Sequence, residues 1–373
     1  MTKNKLNIQT QHIYNLFIFF LLIILTGCTS SSKSWKEIEE EGTFLIFRRQ
    51  SQIGEEKYSI TANDSLIIVN SLQGENERGR ISGTQAILHL NMDLTPAYYI
   101  NRRITNNDTI VNYKMTTSGN EASVWEEKFD VETFSIPETF FPLHSNIPAA
   151  MEMMLYHYYF ENGKPKNITT LPRGEVSIVH TGTDVVNVNG DEEALNRYVV
   201  EGINWGGRAV WINESNQLVA LVKANTQIRE MIRKGYEDAL QVFIDGNVTE
   251  QINVLKKYTE DHKIPQAEIT ALVGGDIVDG LSDNTQKDMT LLIENGKIKV
   301  IGSLSDVEIP ENAKIIDVSG KTLIPGLWDM HAHSNQVQWA PAYLAGGVTT
   351  IRDNGNEIEF ATAFRDEIDL NGD

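Results

Sequence analysis

Short segments rich in apolar and β-branched residues follow one another from Gly42 to about Gly207. Turn-forming Gly, Asn, Asp and Pro separate them, and several alternate polar with apolar positions. Alternation with a period of two is typical of a strand that buries one face and leaves the other in water. The pattern therefore predicts a large sheet, with strands at TFLIFRR, SLIIVNSL, TQAILHLNM, TIVNYKMTT, VSIVHTG and RYVVEGI.

Two stretches show helical rather than strand spacing. From Pro148 to Phe160, apolar side chains recur three and four residues apart, which predicts a helix inside the strand-rich region. From Asn225 to Lys257 a rough period of 3.6 residues predicts more helix. Glycine and asparagine disfavour a helix interior, so we expect Gly246-Asn247 to divide this second stretch in two.

The residues from Gly163 to Val222 predict consecutive hairpins that end in a Trp-bearing strand and an Asn-rich turn, Asn213 to Gln217. This pattern of hairpins resembles that of sheet modules in cell-envelope proteins, which curl around a helix and bind apolar ligands. Two interpretations stay open. The region is a packed structural β domain, or it binds an apolar ligand or a partner.

The N-terminus has the layout of a secretory signal. Lysines at positions 3 and 5 precede the apolar run Leu16 to Leu25, which is too short to span a bilayer comfortably. The following LTGC, Leu25 to Cys28, resembles the bacterial lipoprotein signal, whose cysteine is lipidated. We therefore predict a signal peptide over 1–27, lipidation of Cys28, a Ser-rich tether over 28–35, and lipid-anchored attachment to the membrane of a bacterial cell envelope, periplasmic or outer. A transmembrane anchor or a buried helix is the alternative.

Composition narrows the classes of function. The formal net charge is −19 and no basic stripe is visible along the chain, so we expect no nucleic-acid partner. With 41% hydrophobic and 22% charged residues, the chain is typical of a globular protein. A single cysteine rules out an internal disulfide and a cysteine metal cluster.

Candidate chemistry lies near the C-terminus, in the segment LIPGLWDMHAH from Leu323 to His333. The apolar run from Leu327 to Ala332 predicts a buried strand. Residues two apart in a strand point to the same side, so His331 and His333 are expected to project together. Neutral imidazoles are good ligands for Zn²⁺ and similar cations.

The surroundings of this pair resemble the amidohydrolase superfamily. The shared features are Gly274-Gly275 in an opening strand, a hairpin around Asn295-Gly296, the strand ending at Asp317, the PGLxDxHxH segment and GGVTTIRD from Gly346 to Asp353. Within that superfamily, the sequence LAGGVTTIRD most resembles the imidazolonepropionase-like and Xaa-Pro dipeptidase-like group. The resemblance implies an amidohydrolase β-sandwich portion over 266–325 and the start of a (β/α)₈ barrel over 326–373. In that barrel, Leu327 to His333 and Val348 to Arg352 are the first strands, and Gln336 to Ala345 and Glu357 to Leu370 are the helices.

The resemblance also implies a chemistry. One or two divalent metals, zinc being the expected one, assist hydrolysis of C–N bonds in small-molecule or dipeptide-like substrates, and His331 and His333 match the first two ligands. Asp329 is either an outer-sphere partner that orients a ligand or a carboxylate that caps local amides. The family's later lysine, histidines and aspartate come from later strands of the barrel. They have no counterpart here, because the 48 residues from Gly326 to Asp373 hold only two βα units and no histidine follows His333. We therefore expect the front part of a longer hydrolase, inactive as this chain.

The complete sequence-based prediction is a multi-domain α+β protein. A β-rich envelope domain with C-terminal helices occupies 36–260, followed by the sandwich portion and the first two βα units of the barrel. The alternative function is that of a non-catalytic envelope lipoprotein.

Overall fold

The computed structural model of the protein describes residues 35–105, 108–143, 147–203, 206–223, 229–262 and 267–371. The predicted signal peptide, Cys28 and the tether up to residue 34 lie outside these ranges. None of the described helices is long and apolar enough to cross a membrane.

Within the described residues, the N-terminal two thirds of the chain form a sheet of fifteen strands. From β1 the chain adds strands one by one toward the β8 edge, crosses to β9 at the opposite edge, and returns until β15 pairs with β1. All neighbours are antiparallel except β9 and β10, which run parallel. The strands are β1 Glu39–Arg48, β2 Ser51–Ala62, β3 Leu66–Glu77, β4 Arg80–Asn91, β5 Pro96–Thr105, β6 Asp108–Ser118, β7 Glu121–Glu126, β8 Glu132–Ser135, β9 Phe140–Pro142, β10 Ile168–Leu171, β11 Glu175–Val188, β12 Asp191–Glu201, β13 Arg208–Ile212, β14 Leu218–Lys223 and β15 Arg229–Arg233. The predicted strands are confirmed.

The helix predicted after Pro148 is confirmed as α1, Ala149–Glu161, and it packs against the inner face of the sheet. Its side chains are buried on every side from Ala149 to Tyr159, since the strands surround it. Pro148 offers no side-chain cap at its N-terminus. Glu56 of β2 replaces that cap by accepting the N–H groups of Ala149 at 2.8 Å and Ala150 at 2.9 Å.

The outer face of the sheet carries a second helix, α2, Leu240–His262, entered through a 3₁₀ turn at Glu237–Ala239. The prediction that residues 225–257 are helical was wrong for residues 229–233, which form β15. This segment pairs with β1 on one side and β14 on the other, so sheet hydrogen bonds outweigh its local helical spacing. The described part of the β-rich region therefore ends in one long helix rather than two.

The predicted break at Gly246-Asn247 was also wrong, because α2 is continuous through it. A Cβ at Gly246 would lie 2.6 Å from Cζ2 of Trp211 and 2.9 Å from Nη1 of Arg197. The glycine therefore lets the helix approach the Trp-bearing strand β13 closely. Its presence reflects packing and not a chain break.

A smaller sheet and a βαβ unit follow. The sheet contains β16 Ile269–Ile277, β17 Gln286–Glu294, β18 Lys297–Ser303, β19 Lys314–Asp317 and β20 Thr322–Leu323, in the order β18-β17-β16-β19 with β20 also beside β16. Then come β21 Leu327–Ala332, α3 Trp339–Ala345, β22 Val348–Asp353 and α4 Ile358–Asn371. Strands β21 and β22 are parallel, which matches the expected order of elements at the start of a barrel.

Local geometry explains why glycine occupies several positions in these motifs. Gly274 has φ +82° and would bring a Cβ within 2.5 Å of Ser319 Oγ, so the connection from β19 to β20 can pass close to β16. Asn295 and Gly296, with φ of 50° and 71°, form the turn between β17 and β18 as predicted. A Cβ at Gly326 would collide with the Thr349 side chain. The glycine therefore lets β21 begin directly against β22.

Leu327–Ala332 forms a strand as predicted, but the prediction that this strand is buried was wrong. Trp328 and Met330 are 69% and 51% exposed, and only Ala332 is buried. Among the described residues, β22 is the sole strand beside β21, so most of its apolar surface stays in contact with solvent. A small apolar cluster between α2 and α4, in which Leu255 packs against Phe360 and Phe364, is one of the contacts that hold the unit to the rest of the chain.

Candidate metal centre

The two histidines lie where parallel strand β21 ends, the edge at which barrel enzymes place their sites. The ring centres of His331 and His333 are 5.6 Å apart and the ring planes are inclined by 26°. Both side chains are exposed. A zinc ion bound at about 2 Å from a ring nitrogen lies about 3 Å from that ring's centre, so one ion is within reach of both imidazoles. The structure therefore brings the pair together as the alternation predicted.

The orientation of the His333 ring is set by the loop after β22. Its Nδ1 donates to the carbonyl oxygen of Gly355 at 3.3 Å, which leaves Nε2 as the acceptor nitrogen. A Cβ at Gly355 would lie 2.5 Å from Cε1 and 2.6 Å from Nδ1 of the imidazole. A side chain at this position would displace the ring. Tyr343 of α3 lies near the backbone of His333, and burial raises the pKa of its hydroxyl.

Asp329 accepts the backbone N–H of His331 through Oδ1 at 3.0 Å. This contact is the amide-capping role that the sequence left open. Its carboxylate contacts the backbone that carries the first histidine and so supports the strand end. An outer-sphere role toward a bound cation stays a prediction.

Asp353, the last residue of β22, holds the two site loops together, a role that sequence reasoning missed. Its Oδ2 accepts the Ser334 N–H at 3.1 Å and the Asn356 amide at 3.0 Å, and its Oδ1 accepts the Gly355 N–H at 3.0 Å. The signal that could have revealed this role is an aspartate at a strand end followed by Asn-Gly-Asn, since such residues bond to nearby amides.

The large sheet also contacts this edge. The turn between β1 and β2 places Arg49 beside Gly355, and Gln50 Nε2 donates to Glu359 Oε1 at 2.8 Å. Behind this turn, Glu230 of β15 is fully buried and lies near Glu357 and Glu359. Burial and the Glu357 charge raise the pKa of Glu230 to about 8.

The ligand set that the described residues offer is incomplete. No group of three or more His, Cys, Asp or Glu side chains among them is arranged to hold a metal ion. The other described histidines lie against aromatic rings elsewhere, at His89, His157, His180 and His262. His144 lies outside the described ranges. The described residues therefore bring two imidazoles together without a third ligand beside them.

Comparison with known proteins finds partial similarity to hydrolases of C–N bonds. Over 89 residues the chain is 42% identical to a dihydroorotase of Syntrophus aciditrophicus, covering 21% of this chain and 20% of that protein. Over 97 residues it is 36% identical to an enamidase of Eubacterium barkeri, covering 24% of each. A crystal structure of a Xaa-Pro dipeptidase with bound methionine in its active site is 25% identical, with a TM-score of 0.25, over 27% of this chain and 30% of that one.

The chain thus spans about a fifth to a quarter of the length of these curated relatives. No family model matches it. Part of the chain is similar to the amidohydrolase superfamily, as the motifs implied.

Proposed function

We propose that residues 266–371 supply the first part of a metal-dependent amidohydrolase, with His331 and His333 as the first two ligands of a divalent metal, zinc being the expected ion. The observation that carries the proposal is the pair of imidazoles 5.6 Å apart at the end of a strand in a βαβ unit. Similarity to a dihydroorotase and an enamidase supports C–N bond hydrolysis as the reaction class. The substrate proposed is a small molecule or a dipeptide-like amide.

In such a site, a bound divalent metal lowers the pKa of water and polarises a carbonyl group. This chain's own residues contribute positioning. The Gly355 carbonyl keeps the proton of His333 on Nδ1, so that Nε2 is free to ligate. The Asp353 carboxylate ties the loop after β21 to the loop after β22, and Asp329 supports the backbone at His331. No general base is assigned among the described residues.

Catalytic zinc sites take three protein ligands, so we expect the 373-residue chain to bind metal weakly and to show no appreciable turnover. The test compares this chain with a version extended through the remaining strands of a barrel. Elemental analysis measures bound metal, and a panel of dipeptides and cyclic amides measures hydrolysis. The double variant His331→Ala plus His333→Ala should lose metal and activity in the extended protein. His180→Ala, an exposed histidine in β11, is the matched control and should keep both.

Two results would contradict the proposal. Stoichiometric metal and turnover in the 373-residue chain would show that the site lies elsewhere. An extended protein that keeps both after loss of His331 and His333 would show that these residues are not ligands.

We also propose that Cys28 is lipidated after cleavage behind Gly27, which would anchor the protein to a membrane of the cell envelope. The support is the placement of the chain's single cysteine in LTGC after the apolar run. Mass spectrometry of the N-terminus of the protein expressed in a bacterium tests this. Retention of Met1, or an unmodified Cys28, would refute it.

A further inference from the structure

The inner face of the large sheet changes character along its strands. Around α1 the inward positions are apolar, as Ile67 and Val69 of β3 and Leu88 of β4 show, each fully buried. Toward the other end of β3 and β4, the same alternation places polar and charged residues inward. They are Gln73, Glu75 and Glu77 of β3, facing Thr84, Ser82 and Arg80 of β4. Helix α1 fills the apolar part, whereas none of the described residues fills the polar part.

This polar part is a cavity of about 430 Å³ beside Ile147, just before α1 begins. We call it the basic cavity. Two carboxylates, Glu75 and Glu77, line it together with five cationic side chains, which are Arg48, Arg80, Arg103, Lys223 and Arg229. Arg103 also pairs with Glu127, which lies outside the lining, at 3.4 Å. The lining therefore keeps an excess of two positive charges (5 − 3), in a chain whose net charge is −19.

Both carboxylates of the lining are paired with arginines that also line the cavity. Glu75 accepts from Arg229 Nη2 at 2.5 Å, and Glu77 forms an ion pair with Arg48. The side chains of Lys223 and Arg80 form no hydrogen bond or ion pair with another described residue. Lys223 lies opposite Arg229 in the pairing of β14 with β15. Burial and the nearby charges of Arg208 and Arg229 lower the pKa of Lys223 to about 8, despite the opposing charges of Glu152 and Glu56. The cavity therefore holds positive charge that the described residues do not neutralise.

We propose that the basic cavity binds a small anion that carries carboxylate or phosphate groups. Guanidinium groups bind both oxyanions through paired hydrogen bonds, and an ammonium adds a point charge. The volume suits a small molecule, since ligand sites range from about 300 to 1,000 Å³. Among the described residues, the apolar lining consists of Ile147 and Met231, so this part of the cavity offers little surface to an acyl chain. A soluble anion therefore fits better than a whole lipid.

Isothermal titration calorimetry of the 373-residue protein with inorganic phosphate, at constant ionic strength set by sodium chloride, tests the proposal. Lys223→Gln should weaken binding roughly ten-fold or more, because it removes a poorly solvated charge. Arg80→Gln, at the exposed rim, should weaken binding several-fold without affecting folding. Lys114→Gln is the matched control, because Lys114 is an exposed lysine of β6 in the same sheet and lies outside the cavity lining.

Absence of phosphate binding to the unmodified protein would overturn the proposal. So would an equal loss in Lys114→Gln, which would indicate a diffuse charge effect only. A second arm measures co-sedimentation with phosphatidylglycerol vesicles, where we expect no dependence on Lys223 or Arg80. Vesicle binding that needs both residues, without binding of free phosphate, would replace the soluble anion by a lipid headgroup.

Discussion

Glu230 gives a quantitative test of how the large sheet meets the candidate site. Its carboxyl is fully buried between β15 and the start of α4, and no side chain in the described ranges donates a hydrogen bond to either oxygen. Burial, with the charges of Glu357 and Glu359, raises its pKa from 4.5 to about 8, although the backbone amides of Glu230 and Gln50 oppose the shift. The pKa of Glu357 is raised as well, mainly by burial.

The sign of the pH dependence follows from proton binding. Between about pH 4.5 and 8, the folded chain keeps a proton on Glu230 that the unfolded chain has released. The contribution of Glu230 to the free energy of unfolding should therefore be largest below this window and fall as the pH rises through it. Each unit of pKa difference is worth about 1.4 kcal/mol, so the whole window amounts to about 5 kcal/mol. Glu357 acts in the same direction.

The perturbation is Glu230→Gln, which keeps the shape and removes the titration. We expect it to be about as stable as the unmodified protein near the acidic end of the window, and more stable by several kcal/mol at about pH 8. Urea unfolding across that range, followed by tryptophan fluorescence, measures this difference. Glu192→Gln, an exposed glutamate of β12, is the control and should leave the pH profile unchanged. Parallel stability profiles for Glu230→Gln and the unmodified protein would refute the reasoning.

Three further substitutions test packing and the site. Gly355→Ala should push the His333 ring aside and weaken zinc binding to the chain about ten-fold, measured by competition with a chromophoric chelator. Gly246→Ala should lower the free energy of unfolding by about 1–3 kcal/mol in urea, because the collision inside α2 outweighs the helix propensity of alanine. Arg208→Met should cost about 3–5 kcal/mol, since Glu152, 2.6 Å from the guanidinium, would be left as an unpaired buried charge.

One control serves both glycine variants. Gly74 lies in β3 with nothing within 4 Å of its Cβ position, so Gly74→Ala should leave zinc binding unchanged and stability nearly so. If Gly246→Ala is no less stable than Gly74→Ala, the close approach to Trp211 is not what requires the glycine. For the ion pair, Glu152→Gln combined with Arg208→Met should recover part of the loss. A double variant less stable than Arg208→Met alone would show that the unpaired charge is not the cause.

The sequence by itself determined the features that depend on neighbours along the chain. Alternation with a period of two predicted the strands and put His331 and His333 on one side of β21, because side-chain direction in a strand depends only on backbone geometry. The Asn295-Gly296 turn was predictable because both residues tolerate positive φ. The order of elements after Pro325 was implied by the resemblance to the amidohydrolase superfamily, and the structure shows the same order.

Tertiary structure decided the features that depend on residues far apart in the chain. Residues 229–233 became a strand because β1, some 180 positions earlier, supplied hydrogen-bond partners that outweighed their helical spacing. Glu56 became the cap of α1 across 93 positions, and Asp353 became the link between the site loops. The basic cavity joins cations from five strands, an arrangement without any local signature in the sequence. Burial also decided the pKa of Glu230, because the energy of a charge depends on the medium that the whole fold places around it.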